Sequence, residues 1–447
     1  MSTIVIKNTR VVQTMEPIEV LEGVDIVIKD DKIAAVGPNA AKDVKADKVI
    51  DGKNRTVMSG NVCGHHHYYS GLSRGMLISA GPQTDFIQVL KEWWWRLDRG
   101  LQEESCYYSS LICSIEAIEA GTTSVIDHHA SPSYIEGSLS TIAKGLKETG
   151  LRGLTCYEVT DRNRGMAEVE EGVAENVRFA KECDEDKKKN GTAALCEAMI
   201  GGHAPFTIPD EGLKLMSKAC KQTKRGMHLH IAEDKYDVVH SHHHYNKDIV
   251  KRLESFDLLS SNTLLVHGLH LSDEEADIIN AHKCFFAHNP RSNMNNHVGY
   301  CRVLPKIDNL ILGTDGCGGN MFEEIKIGFF KHKDNGGPWW PSDYLRALTR
   351  ANKLLEMYYG RKFGRVEKGY VADLVIYNYQ NPTPLVKENA ASHFVWGMSS
   401  NAVESVIING SVRMENHVLV GIDKEKIFAK AAKVSAKLWK VVDKIKP

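Results

Sequence analysis

The chain has 447 residues, of which 42% are hydrophobic and 25% charged, and its formal net charge is −1. These values are typical of a globular protein with a sizeable core and two or three domains. A near-neutral chain without a basic stripe is not expected to bind nucleic acid. No apolar run reaches the ~18 residues of a membrane span, and no signal-peptide pattern is present, so we expect a cytoplasmic protein.

Ten cysteines are scattered along the chain, and none of them forms a CxxC pair. In a chain of this length such spacing favours reduced thiols over a disulfide framework or a cysteine zinc site. This expectation agrees with a cytoplasmic location.

The two ends of the chain share one pattern. Residues 1–57 alternate apolar and polar positions between turns, and the same alternation returns over residues 364–421, which predicts β-strands at both ends. Residues 422–447 have the pattern of an amphipathic helix. We expect the two β-rich ends to pair into one small β-sandwich.

Residues 58–363 follow a different pattern, in which short apolar strand-like runs alternate with helical stretches. Eight strands can be counted, the first ending in GHHHY and the last in LGTD. Eight β/α units over about 300 residues match the size and pattern of a (β/α)8 barrel. The predicted fold is therefore α/β, a TIM barrel flanked by the β-sandwich.

Histidines and one aspartate close four of these predicted strands. The residues are His65 and His67 on the first strand, His230 on the fifth, His267 on the sixth and Asp315 on the eighth. Residues i and i+2 of a strand point to the same face, so His65 and His67 can both reach one ion. Because catalytic groups of such barrels meet at the carboxyl ends of the strands, the pattern predicts a divalent metal centre.

These motifs, with HNPRSN after the seventh strand and G-x-V-E-x-G-x-x-A-D-L-V over residues 364–375, resemble the amidohydrolase superfamily. More narrowly they resemble its cytosine deaminase, guanine deaminase and chlorohydrolase branch, and within it the SsnA-type aminohydrolases. The likeness covers nearly the whole chain. It implies a metal-dependent enzyme, commonly a homodimer, that acts on a small molecule.

The resemblance also implies roles for individual residues. Four residues match the family's metal ligands: His65, His67, His230 and Asp315. Glu233 matches the proton shuttle, and His267 matches the histidine that polarises the metal-bound water. Asp315 would take a proton from that water while Glu233 protonates the substrate, so the expected catalytic residues are Glu233, His267 and Asp315.

The metal expected at this site is one divalent ion. Relatives with two metals carry a lysine on the fourth strand that becomes a bridging carbamate, and the corresponding segment ALCEAMIGGHAPFT has no lysine. Imidazole and carboxylate ligands favour zinc, with iron as the alternative.

Four further residues are predicted to contact the substrate: His203, Arg74, Asn289 and Asn293. His203 ends the fourth strand, Arg74 lies on a lid expected over residues 68–82, and the asparagines follow the seventh strand. Two of these positions have a plainer structural interpretation. His203 could orient a loop, and Arg74 could form a surface ion pair.

Two clusters have no assigned role. Trp93, Trp94 and Trp95 are consecutive, and three consecutive helical residues cannot all face one pocket. We therefore expect at least one to lie in the core or an interface, and we favour structural roles for two of the three. A run of four histidines follows the fifth strand: His240, His242, His243 and His244. It could hold a second metal, but no acidic partner segment has matching spacing, so a lid segment is the favoured interpretation.

Three functions remain open from the sequence. The favoured one is a metal-dependent aminohydrolase that deaminates a nitrogen heterocycle, with purines among the expected substrates. The second is a hydrolase that opens a cyclic amide or displaces another leaving group, as chlorohydrolases do. The third is a non-catalytic scaffold, which would have no need of the six site residues.

Overall fold

The computed structural model describes residues 2–447 of the chain. Its strands are β1 (Thr3–Gln13), β2 (Glu19–Lys29), β3 (Lys32–Gly37), β4 (Lys48–Asp51), β5 (Thr56–Ser59), β6 (Asn61–His66), β7 (Thr122–Asp127), β8 (Arg152–Thr155), β9 (Cys196–Ala198), β10 (Ile200–Gly202), β11 (Met227–Ile231), β12 (Leu264–His267), β13 (Phe285–His288), β14 (Leu310–Leu312), β15 (Leu374–Tyr377), β16 (Val403–Ile408), β17 (Ser411–Glu415) and β18 (Val418–Leu419).

The α-helices are α1 (Phe86–Val89), α2 (Trp95–Gly100), α3 (Glu103–Glu119), α4 (Ser138–Thr149), α5 (Met166–Asn190), α6 (Asp210–Thr223), α7 (Lys235–Tyr245), α8 (Ile249–Glu254), α9 (Asp273–Ala281), α10 (Pro290–Asn295), α11 (Met321–Asp334), α12 (Pro341–Tyr359), α13 (Ala390–Ser392) and α14 (Lys424–Val442). The helices predicted between the barrel strands correspond to α4, α5, α6, α8 and α9, and the predicted terminal helix is α14. Within residues 2–447, no helix is long and apolar enough to cross a membrane.

The barrel consists of two parallel sheets, β6-β7-β8-β9 and β10-β11-β12-β13-β14. β9 and β10 are one barrel strand interrupted at Met199, whose N–H donates to Thr155, while the next N–H, from Ile200, donates to Gly226. At the other seam, the N–H groups of Thr314 and Asp315 donate to the carbonyl of His65 at 2.9 and 3.0 Å. The predicted α/β barrel is confirmed.

The barrel interior is a packed core. Inward-facing apolar side chains from its strands are buried together: Val62, Ile126, Leu154, Met199, Leu264, Val266, Phe285, Ala287 and Ile311. Leu354 and Leu355 of α12 belong to the same cluster and cover one end of the barrel. A filled interior leaves the carboxyl ends of the strands as the place for a site.

The two chain ends together form a nine-stranded sheet in the order β18-β17-β16-β15-β5-β1-β2-β3, with β4 beside β1. They meet where β5 pairs antiparallel with β15, with Val57 opposite Ile376. Ile6, Ile26 and Leu374, from both ends, are fully buried in one core, so the halves of the sheet share an apolar interior as in a sandwich.

A buried ion pair joins the barrel to this sheet. The guanidinium of Arg152 on β8 is 1% exposed and contacts the carboxylate of Asp373, just before β15. Asp373 also accepts a hydrogen bond from the N–H of Asn409 at 2.7 Å. The carboxylate therefore compensates a positive charge that is shielded from water.

Replacing Asp373 by Asn is expected to lower the free energy of unfolding by about 3–5 kcal/mol, because Arg152 would keep a buried charge without its partner. Urea denaturation measures the change. Lys221→Ala, which removes an exposed 2.9 Å pair with Asp257, serves as the control and should cost no more than about 1 kcal/mol. Similar losses in both variants would contradict this account of the pair.

Candidate active site

Four donor atoms converge at the carboxyl ends of the barrel strands. Nε2 of His230 lies 3.3 Å from Nε2 of His65 and 3.2 Å from Nε2 of His67. Oδ1 of Asp315 lies 2.9 Å from Nε2 of His67 and 3.7 Å from Nε2 of His65. Ligand atoms at zinc distances in a tetrahedral site are about 3.4 Å apart. The four predicted ligands therefore fit one divalent ion.

Two of the site residues have unusual backbone geometry. His267 and Asp315 have φ angles of 73° and 55°, in the left-handed region that non-glycine residues rarely adopt. His267 is the last residue of β12, and Asp315 lies three residues beyond the end of β14. Strained backbone of this kind is concentrated at functional sites, where the surrounding structure holds it in place.

Backbone carbonyls orient two of the candidate metal-ligand histidines. Nδ1 of His67 donates to the carbonyl of His128 at 2.7 Å, and Nδ1 of His230 donates to the carbonyl of His203 at 2.8 Å. A ring that keeps its proton on Nδ1 would present the Nε2 lone pair to a metal ion, so these hydrogen bonds suit the tautomer that a metal site needs.

The third ligand is oriented by another imidazole. Nδ1 of His65 lies 2.9 Å from Nε2 of His228, and Nδ1 of His228 lies 3.5 Å from Sγ of Cys156. Burial lowers the pKa of His228 well below its ordinary value, so this ring is neutral. A neutral imidazole that accepts at Nε2 carries its proton on Nδ1. A His65 ring that binds a metal through Nε2 carries its proton on Nδ1, and His228 is placed to accept that proton and so to orient the His65 ring.

His267 and Glu233 lie beside the donors. Nε2 of His267 is 3.7 Å from Oδ2 of Asp315 and 3.5 Å from Oε2 of Glu233. Nδ1 of His267 donates to Oδ1 of Asn293 at 2.8 Å, which turns Nε2 toward the carboxylates. Asn296 donates to Oε1 of Glu233 at 3.1 Å. Burial raises the pKa of Glu233, although His267 acts in the opposite direction. The raised pKa favours the protonated carboxyl group, which is the form that a proton donor needs.

Asp315 has the opposite electrostatic environment. Burial alone would raise its pKa, but the charge of His67 and the hydrogen bonds from His65 and His67 hold it well below its usual range. Ser292 also donates to Oδ2 at 2.5 Å. The carboxylate is therefore ionised, as a metal ligand and proton acceptor must be.

Glu158, which follows β8, is a site residue that the sequence analysis did not identify. Its Oε1 lies 3.2 Å from Nδ1 of His67 and 3.3 Å from Nδ1 of His128, and its side chain is 2% exposed. Burial would raise its pKa, but His128 and His67 lower it well below the usual value. The sequence signal that could have identified Glu158 is an acidic residue shortly after the third barrel strand.

The donors open into a pocket of about 410 Å³, within the ~300–1,000 Å³ typical of small-molecule sites. Five aromatic side chains form part of its wall: Tyr69, Phe86, Trp93, Trp94 and Trp95. All three tryptophans thus reach the pocket, contrary to expectation, although each also packs against the core. A π-helical turn over Leu90–Trp94 precedes α2, and an indole is large enough to contact core and pocket at once.

Of the predicted substrate contacts, His203 lines the pocket, and its Nδ1 lies 2.8 Å from Oγ1 of Thr207. The prediction for Arg74 needs correction. Its guanidinium forms two 2.7 Å hydrogen bonds with Glu116, and its side chain is 70% exposed on a neighbouring surface cleft. The Glu116 carboxylate holds it away from the pocket.

The two asparagines are also corrected, because both are buried behind the pocket wall. Asn293 accepts the Nδ1 proton of His267, and Nδ2 of Asn289 lies 3.5 Å from the same nitrogen. They contact His267 from behind and do not line the pocket.

His228→Phe is expected to weaken metal retention by about 10–100-fold, because His65 would lose the acceptor that fixes its ring. Competition with a chelator, followed by metal analysis, measures the affinity. His228→Gln, whose side-chain carbonyl can accept the same proton, should retain most of the affinity. Unchanged retention in the phenylalanine variant would refute the positioning role.

Comparison with known sequences agrees with this geometry. The sequence model of the amidohydrolase family matches residues 56–413. A 5-methylthioadenosine/S-adenosylhomocysteine deaminase of Thermoanaerobacter pseudethanolicus is 29% identical over 95% of this chain and 96% of that protein. A 5'-deoxyadenosine deaminase of Methanocaldococcus jannaschii is 28% identical over 91% of this chain and 94% of that protein.

Solved structures share the fold. An adenosine deaminase from Xanthomonas campestris with bound zinc superposes with a TM-score of 0.84 and 22% identity, over 98% of this chain and 99% of that one. An atrazine chlorohydrolase from Arthrobacter aurescens, complexed with zinc, superposes with a TM-score of 0.81 and 20% identity, over 97% of this chain and 100% of that one. Because the family model matches most of its length, the chain belongs to the amidohydrolase family. It is a metal-dependent hydrolase of carbon–nitrogen bonds other than peptide bonds.

Proposed function

We propose that the protein is a zinc-dependent deaminase that replaces the 6-amino group of an adenine nucleoside by a carbonyl oxygen, consuming water and releasing ammonia. The reaction class predicted from the sequence, hydrolytic deamination of a nitrogen heterocycle, is confirmed by the family and the deaminase relatives. The observation that carries the proposal is the convergence of four metal donors with Glu233 and His267 at one pocket.

A zinc ion at His65, His67, His230 and Asp315 would supply the Lewis acidity that makes water a nucleophile near neutral pH. Oδ2 of Asp315, held by Ser292, is placed to accept the proton of that water. Glu233, whose pKa is raised, is placed to protonate the ring nitrogen. The proton taken up by Asp315 would pass to the leaving amine, and the hydroxyl group that becomes the carbonyl would return a proton to Glu233. His267 orients the attacking water from between the two carboxylates.

The pocket wall supports a flat, uncharged substrate. Its aromatic side chains offer stacking surfaces to a planar heterocycle. Within residues 2–447, no lysine or arginine lines the pocket. Arg162, just behind the wall, is paired with Asp98 at 2.8 Å and lies over the ring of Trp95 at 4.7 Å. A phosphate group would find no free cation there, which favours a nucleoside over a nucleotide.

Several other expectations stay predictions. They are the single metal ion, the homodimer and the cytoplasmic location. The competing chemistry, opening of a cyclic amide or displacement of chloride, would use the same donors and is separated from deamination by its products.

A substrate panel tests the proposal: adenosine, 5'-deoxyadenosine, 5-methylthioadenosine, adenosine 5'-monophosphate, a cyclic amide and a chlorotriazine. We expect ammonia from the nucleosides, much less from the monophosphate, and loss of activity on chelation that zinc restores. The measurements are ammonia, carboxylate and chloride release. A ring-opened carboxylate or chloride as the sole product would overturn the proposal.

Glu233→Gln and Asp315→Asn should each lower kcat/KM by about 10²–10⁴-fold, because each removes a proton transfer. Ammonia release is measured together with metal content, since Asp315→Asn also changes a ligand. Glu116→Gln, which alters a carboxylate outside the pocket, is the matched control and should leave turnover intact. Full activity in the Glu233 variant would exclude its assigned role.

Trp94→Ala should raise KM by about tenfold or more, because base–aromatic stacking contributes about 1–3 kcal/mol. The tip of the Trp94 ring lies beside Gly316, next to the ligand Asp315. Steady-state kinetics separate KM from kcat. Trp340→Ala, at a 68% exposed tryptophan outside the pocket, should change neither constant. An unchanged KM for the Trp94 variant would show that this ring does not stack on substrate.

A further inference from the structure

The histidine run identified in the sequence lies on α7, the helix that follows β11. Asp234 caps this helix by accepting the N–H of Tyr236 at 2.9 Å. Asp237 and Ser241 form its buried face, where Asp237 accepts the N–H of Ala232 at 2.8 Å. The remaining face of α7 carries the histidines, outside the catalytic pocket.

His240 and His244 stand one helical turn apart on the same face. Their ring centroids are 4.3 Å apart, with an angle of 36° between the ring planes. Residues four apart on a helix are spatial neighbours, and two histidines at this spacing are a recurrent metal-binding pair. The helix therefore holds both imidazoles side by side on one face.

The nitrogens of this pair have no other partner. Within residues 2–447, Nδ1 of His240 is buried without a hydrogen bond, and His244 is exposed. Burial and the neighbouring His244 lower the pKa of His240, so its ring is neutral. His242 differs, because its Nε2 lies 3.2 Å from Oδ1 of Asp248. His240 and His244 therefore keep both rings available to one ligand.

We propose that His240 and His244 bind a second, exchangeable divalent metal ion of the transition series, separate from the catalytic centre. Imidazole ligands select Cu²⁺, Ni²⁺ and Zn²⁺ over Mg²⁺ and Ca²⁺, and water completes the coordination of a site with two protein ligands. The site shares no residue with the catalytic donors, so it does not depend on the proposed deaminase reaction.

Calorimetric titration of the purified holoenzyme with Ni²⁺ tests this site, with metal analysis of the same samples. We expect one Ni²⁺ per chain beyond the metal already present. His240→Gln and His244→Gln should each weaken Ni²⁺ binding by about tenfold or more, since each leaves a single imidazole. His242→Gln is the matched control on the same helix and should bind as the wild type does.

Copper provides a second readout. In the wild type, electron paramagnetic resonance of one added Cu²⁺ should show coupling to two imidazole nitrogens, and each variant of the pair should lose one of them. No extra Ni²⁺ in the wild type, equal binding in the pair variants, or an equal loss in His242→Gln would each overturn the proposal.

Discussion

The hydrogen bonds that close the barrel are the constraint on which the site depends. The carbonyl of His65 accepts the N–H groups of Thr314 and Asp315, so the first and last barrel strands are joined beside candidate metal ligands. This seam places the Asp315 carboxylate 2.9 Å from His67, although the two residues are far apart in sequence. The closed ring of strands brings the candidate donors from four strand ends to one place.

The surroundings inside the closed barrel also shift the pKa values of two carboxyl groups in opposite directions. Asp315 lies among histidines that hold its pKa low, whereas burial raises the pKa of Glu233. Two acids with pKa values pushed in opposite directions are what a site needs when one group accepts a proton and the other donates one. Neutral, buried imidazoles such as His228 complete the arrangement, because they orient ligands without adding charge.

The fold and the cluster of candidate metal donors could be predicted because they are repeated or local patterns. Alternating apolar runs and helices predicted the barrel strands, and the site residues stand at the ends of those runs. Contacts between strands could not be predicted in the same way. Glu158 and His228 lie at or within ordinary buried strands, and only the packed barrel shows that they contact His67 and His65.

The sequence by itself determined the barrel, the pairing of the two chain ends and the chemistry of the donor set, because strand periodicity and residue type are properties of short segments. The tertiary structure alone decided which side chains reach the pocket. It turned Arg74 toward Glu116, placed Asn293 behind His267 and brought three consecutive tryptophans to one wall. These outcomes depend on distances between elements remote in sequence, which only the folded chain sets.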